Sequence, residues 1–177
     1  MNFLGTTILG IRLDDDIAIG GDGQITLGDM AMKHTTQKVQ KLYHGKVLAG
    51  FAGSAADSMT LLTRFEKKLE EYSGNLSRSA VELAKDWRMD KYLRNLEALL
   101  LVMDKTRTLI ISGNGEIIEP DDQVASIGSG SGYALAAAKA YIDAEKKPKA
   151  DEMVSKSLKI AANICIYTNS NITVLTL

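Results

Sequence analysis

The chain has 177 residues, 45% hydrophobic and 24% charged, with a formal net charge of −1. These values are ordinary for one globular domain, and the charge gives no electrostatic reason to expect nucleic acid or an anionic membrane as partner. No apolar run approaches the ~20 residues of a membrane span, and the single cysteine, Cys165, excludes an internal disulfide and fits a reducing cytoplasm.

Met1–Gly5 has no basic region and no apolar core, so no signal peptide is expected. Thr6–Leu13 alternates apolar and polar positions and reads as a half-buried strand. Ile17–Gly21 is a second strand, joined to the first by the polar turn Asp14-Asp15-Asp16. The glycines of Gly20-Gly21-Asp22-Gly23 place Asp22 in a backbone-dominated corner. Gln24–Leu42 is uneven until Val39–Tyr43, which alternates like a strand; Lys46–Gly53 is a strongly apolar strand.

Ser54 opens a helix, with Asp57 placed as its capping-box partner. Ala55, Met59, Leu62, Phe65, Leu69 and Tyr72 recur at helical spacing along it. A second amphipathic helix spans about Ser77–Leu93 and should pack antiparallel to the first. Strands resume at Ala98–Met103 and Thr108–Ser112, and Asn114-Gly115 is a hairpin turn leading to Glu116–Ile118. Gln123–Ile127 runs into Gly128-Ser129-Gly130-Ser131-Gly132, followed by helices at Tyr133–Ala144 and Asp151–Asn163. Ile164–Thr168 and Ile172–Leu177 close the chain as strand material. Strands, two helices, strands, two helices and a final strand predict an α+β fold built as a four-layer α-β-β-α sandwich; an ordinary two-layer α+β domain is the alternative.

Most candidate chemistry has a plain structural explanation. The glycine run at 128–132 has Tyr133 where a dinucleotide fingerprint needs its third glycine, and no Gly-Lys-Ser/Thr follows, so a tight strand-to-helix turn is the better reading. Ser129 and the nearby amides are then available to line a site at the helix start. Cys165 sits in an apolar stretch without a partner to lower its pKa and reads as a buried thiol. His34 and His44 have no Cys or carboxylate neighbour at ligand spacing for a His-based metal site.

Thr6, Asp22 and Lys38 remain. Thr6 alone reads as a strand residue. If Met1–Gly5 is removed, however, its hydroxyl gains an adjacent base in its own α-amine. Such an amine has an intrinsic pKa of about 7.7–8.0, and a nearby lysine ammonium lowers it further. A buried lysine needs a counter-charge, which a carboxylate supplies.

Gly5-Thr6-Thr7, Gly21-Asp22-Gly23, Lys38 and the strand Val47–Gly53 together resemble the proteasome β-subunit family of N-terminal-nucleophile hydrolases. The stretches at 21–24, 80–88, 96–100, 111–116, 127–130 and 164–169 are similar to a bacterial branch of that family that works with a separate ATPase. The resemblance runs from Gly5 to about Asn169. It implies that Thr6 is the nucleophile, tuned by Asp22 and Lys38, with the Gly50 amide as oxyanion donor and Ser129 close by. It implies a sodium ion on the carbonyls of Ala162, Cys165 and Thr168, although the branch usually has glycine where this chain has Ala162. It further implies removal of Met1–Gly5, two stacked hexameric rings forming a dodecamer, and an AAA+ ATPase hexamer that delivers unfolded proteins. Competing readings are a small-molecule amidase of the same superfamily, which would need no ATPase, and an inactive ring subunit, which would lack Thr6, Asp22 or Lys38.

Overall fold

The computed structural model describes residues 3–90 and 98–177. Two sheets meet face to face. The first has the order β11-β2-β3-β12: β2 (Thr7–Leu13) pairs antiparallel with β3 (Asp16–Gly21) and β11 (Val124–Gly128), and β12 (Thr173–Thr176) flanks β3. The second has the order β10-β9-β8-β7-β6: Ile117–Ile118, Thr108–Ser112, Ala98–Met103, Val47–Gly53 and Val39–Leu42.

The strands look as they do because both faces of each sheet are covered. β7 is buried from Val47 to Ala52, so it reads as a continuous apolar run rather than an alternation. Ile8, Ile17 and Ile19 of one sheet pack between the sheets against Val39, Leu48, Leu101 and Met103 of the other. On the outer faces, α1 (Ala55–Glu71) and α2 (Leu76–Met89) cover β7–β9, burying Phe65 and Trp87. α3 (Ser131–Ile142) and α4 (Ala150–Ala162) cover β2 and β3. The four predicted layers are therefore present. Each buried Leu, Ile or Phe stabilises them by roughly 1.5–3 kcal/mol.

A third, small sheet is not anticipated by the sequence. β1 (Phe3–Leu4), β4 (Ile25–Leu27) and β5 (Met30–Lys33) pair in the order β1-β4-β5, with Phe3 opposite Leu27 and Leu4 opposite Thr26. Exposure of β5 along its length removes the alternation that would have revealed it.

Three local expectations change. Ser54 precedes α1 but makes no side-chain cap, whereas Asn75 caps α2 by accepting from the Arg78 amide. The second helix ends at Met89; its expected continuation toward Leu93 lies outside the described residues. The expected strand at Ile164–Thr168 is a pair of turns: the Cys165 amide bonds back to Ala161 O, and the Thr168 amide to Cys165 O. These local bonds finish α4, and β-branched propensity yields to them.

Candidate active site

Thr6 lies in extended chain just before β2 and is 6% exposed. Two glycines make its place. Gly5 has φ +123°, and a Cβ there would meet Thr26 Oγ1 at 2.9 Å. Gly128 has φ +96°, and a Cβ there would collide with Thr6 O. With that space open, the Ser129 amide donates to Thr6 O at 2.7 Å. The Thr6 hydroxyl donates to Gly5 O at 2.5 Å, so it lies against the carbonyl that precedes it.

β3 delivers Asp22 at its end, almost fully buried. Its Oδ1 accepts from the Thr7 amide at 2.8 Å, and its Oδ2 from the amides of Gln24 at 2.9 Å and Asn169 at 3.3 Å. Lys38, immediately before β6, is equally buried and places Nζ 2.9 Å from Asp22 Oδ1. The same ammonium donates to Gly5 O at 2.9 Å and to Gln24 O at 2.5 Å. Burial pushes the lysine pKa below its usual value, and the Asp22 charge and hydrogen bond oppose that shift.

The three residues singled out by chemistry are thus assembled around the Gly5–Thr6 peptide bond. A charged donor and a hydroxyl converge on one carbonyl oxygen. That arrangement polarises the carbonyl and holds a nucleophile beside it.

Gly50 is placed differently. It sits in the middle of β7, opposite Val39 on β6 and Leu101 on β8. The Phe51 amide donates to Lys38 O, toward β6. Successive amides in a strand alternate sides, so the Gly50 amide faces β8 and belongs to the ladder. Gly53, at the end of β7, has its amide on the β6 side. β6 pairs only as far as Gly50, so that amide lies beyond the end of the β6–β7 ladder.

Ser129 meets Thr6 through its amide, and its side chain is exposed. The glycine run is a turn, as expected: the Gly130 amide at the start of α3 donates to Thr7 Oγ1 at 2.9 Å. Thr7 carried no assigned role in the sequence, yet its hydroxyl also pairs with Thr168 Oγ1 at 2.7 Å. Gln24 and Asn169 belonged to matching stretches but likewise carried no assigned role. The Asn169 side chain accepts from the Gly23 amide and donates to His34 O. The available signal was position: Gln24 directly follows Gly21-Asp22-Gly23, and Thr7 directly follows Thr6.

Ala162 ends α4, and Cys165 and Thr168 lie in the turns after it, their side chains buried at 8% and 4% exposure for the latter two. Among the described residues no three His, Cys, Asp or Glu side chains are grouped to hold a metal.

A model of the proteasome-subunit family matches residues 2–177. The chain is 59% identical over 170 residues to the ATP-dependent protease subunit HslV of Aquifex aeolicus (strain VF5), covering 96% of each sequence. It is also similar to the crystal structure of eukaryotic HslV from Trypanosoma brucei, with a TM-score of 0.91, 40% identity, and coverage of 97% of this chain and 98% of that one. Matches this close along almost the whole sequence put the chain in the proteasome-subunit family, on its HslV branch.

Proposed function

We propose that this chain is the threonine peptidase subunit of a two-component, ATP-dependent protease, with Thr6 as its nucleophile. The observation that supports this most directly is the convergence of Thr6 Oγ1 and Lys38 Nζ on Gly5 O, beside buried Asp22. In maturation, Thr6 Oγ1 bonds to the Gly5 carbonyl carbon, the Gly5–Thr6 C–N bond breaks, and the hydroxyl proton ends on the Thr6 nitrogen. Water then hydrolyses the ester, releasing Met1–Gly5 and freeing the Thr6 amine.

In turnover the freed amine accepts the hydroxyl proton as Thr6 attacks a peptide carbonyl. Lys38 lowers the amine's proton affinity by like-charge repulsion, and Asp22 balances the lysine. We assign the oxyanion donor to the Gly53 amide, since that of Gly50 is turned into the β7–β8 ladder; one such donor is worth about 3–4 kcal/mol of barrier. The leaving amine takes the proton, and water hydrolyses the acyl-enzyme.

The Aquifex aeolicus relative is an ATP-dependent protease subunit, which supports an ATPase partner and ring assembly. The finer reading is a dodecamer of two hexameric rings served by an HslU-like (ClpY) AAA+ hexamer that threads unfolded proteins inward, in the cytoplasm. No helix among the described residues is long and apolar enough to cross a membrane.

We assign a structural Na⁺ to the main-chain oxygens of Ala162, Cys165 and Thr168. Neutral carbonyls suit a hard cation. The carbonyl of a terminal helix residue lacks an intrahelical partner, and Cys165 O keeps a second lone pair after accepting from Thr168. The neighbouring Ile166 carbonyl points instead to Gln24.

The test is intact mass and peptide hydrolysis of wild type and Thr6→Ala. The wild type is expected to lose Met1–Gly5, and the variant to keep it and hydrolyse nothing. A fully active protein that retains Met1 overturns the mechanism.

A further inference from the structure

An ammonium has three hydrogens, and those of Lys38 are all committed: to Asp22 Oδ1, Gly5 O and Gln24 O. Gly5 departs with the released peptide. Asp22 and the Gln24 carbonyl remain, and together they decide where the third N–H points.

Gln24 is built to stay in place. It is 7% exposed. Its amide N–H donates to Asp22 Oδ2 at 2.9 Å. Its Nε2 donates twice, to Thr26 Oγ1 at 2.9 Å and to Ile166 O at 2.8 Å. The side chain thus ties the β3–β4 connection to the loop after α4, and the same residue's carbonyl holds the lysine.

We propose that Gln24 is a positioning residue: it holds the Lys38 ammonium charge beside the freed Thr6 amine, whose lone pair stays open to the hydroxyl proton, and so keeps that amine neutral at the working pH. The proposal rests on Thr6 acting through its own amine. Without the anchor the ammonium shifts away from Thr6, repels a proton on the amine less, and the amine's pKa rises.

The titratable groups that face this corner are few. Asp22 comes from the end of β3, and the loop after α4, whose backbone approaches the corner at Tyr167 O, carries Cys165 and Tyr167. Lys33 and His34, at the end of β5, are exposed. β7 and the turn at 128–130 bring none.

The experiment is the pH profile of kcat/KM for peptide hydrolysis by the processed, assembled protein. Gln24→Met keeps the volume and removes both side-chain donors. Its acid limb is expected to move up by about half a pH unit or more, so that activity falls most below the limb and least on the plateau. Thr26→Val removes one of the two acceptors and is expected to give a smaller shift in the same direction. A Gln24→Met protein that loses activity evenly at every pH, or keeps the wild-type profile, overturns the proposal, because a merely structural bridge would behave so. If Gln24→Met does not assemble, an unmoved limb in Thr26→Val overturns it by the same criterion. A wild type with no acid limb would instead sink the amine-as-base reading itself, and this inference with it.

Discussion

The Lys38 ammonium lies 2.9 Å from the Asp22 carboxylate, and neither residue exposes more than 2% of its surface. Their supports are unequal. Asp22 keeps three amide donors without the lysine, from Thr7, Gln24 and Asn169. Lys38 without the carboxylate keeps only neutral carbonyls. Asp22→Asn is therefore expected to cost about 3–5 kcal/mol, since it strands a buried charge, and Lys38→Met distinctly less. Both should abolish peptide hydrolysis. Urea unfolding of the two variants checks the order, and a costlier Lys38→Met would contradict it.

The lysine also predicts a pH dependence of stability. Its folded pKa is lowered below the unfolded value of 10.5, chiefly by burial. The unfolded chain therefore binds more protons in the window between the lowered pKa and 10.5. Below that window the full cost of burying the charge is present. Stability from this group rises as pH increases through the window. Relative to Lys38→Met, the wild type should gain in urea midpoint as pH is raised toward 10.5. A difference between the two that stays constant with pH would refute this.

Gly128→Ala places a methyl group against Thr6 O and forces φ +96° on a residue with a side chain. The Ser129–Thr6 hydrogen bond cannot survive it. Retention of Met1–Gly5 and a loss of peptide hydrolysis of at least about 100-fold are expected, as for a displaced nucleophile. Intact mass and rate measurements check both.

Thr7→Val leaves the Gly130 amide and the Thr168 hydroxyl without their shared partner. Each unsatisfied buried group costs about 1–3 kcal/mol. The thermal midpoint should fall clearly, and Thr7→Ser, which restores the hydroxyl, should recover most of it.

Exchanging Na⁺ for a bulky organic cation should lower both thermal stability and activity. The proposed carbonyl ligands flank the loop that holds Thr168 and Asn169 against Thr7 and Asp22. Unchanged melting and rates after exhaustive exchange would count against the site.

Thr6 and its chemical partners were legible because their residue types form a complete chemical set, and the Asp14–Asp16 turn shows which two strands begin it. Outside the core, legibility failed where local hydrogen bonds override propensity. Ile164–Thr168 has the composition of a strand, but α4 ends into turns there, and those turns bring the Thr168 hydroxyl to Thr7. The exposed strand Met30–Lys33 carries no burial pattern to read.

The pattern of apolar runs and helical spacing determined two helix pairs over two facing sheets, because each face must be buried against something. Thr6, Asp22 and Lys38 were likewise nameable from their chemistry. Which way the amides of β7 face was decided only by strand register: that of Gly50 turns toward β8 and that of Gly53 does not. That Gln24 holds the lysine was also decided only in three dimensions. Its carbonyl and side chain acquire their roles from the folding of β4 and the loop after α4 around them, and no spacing in the chain encodes that contact.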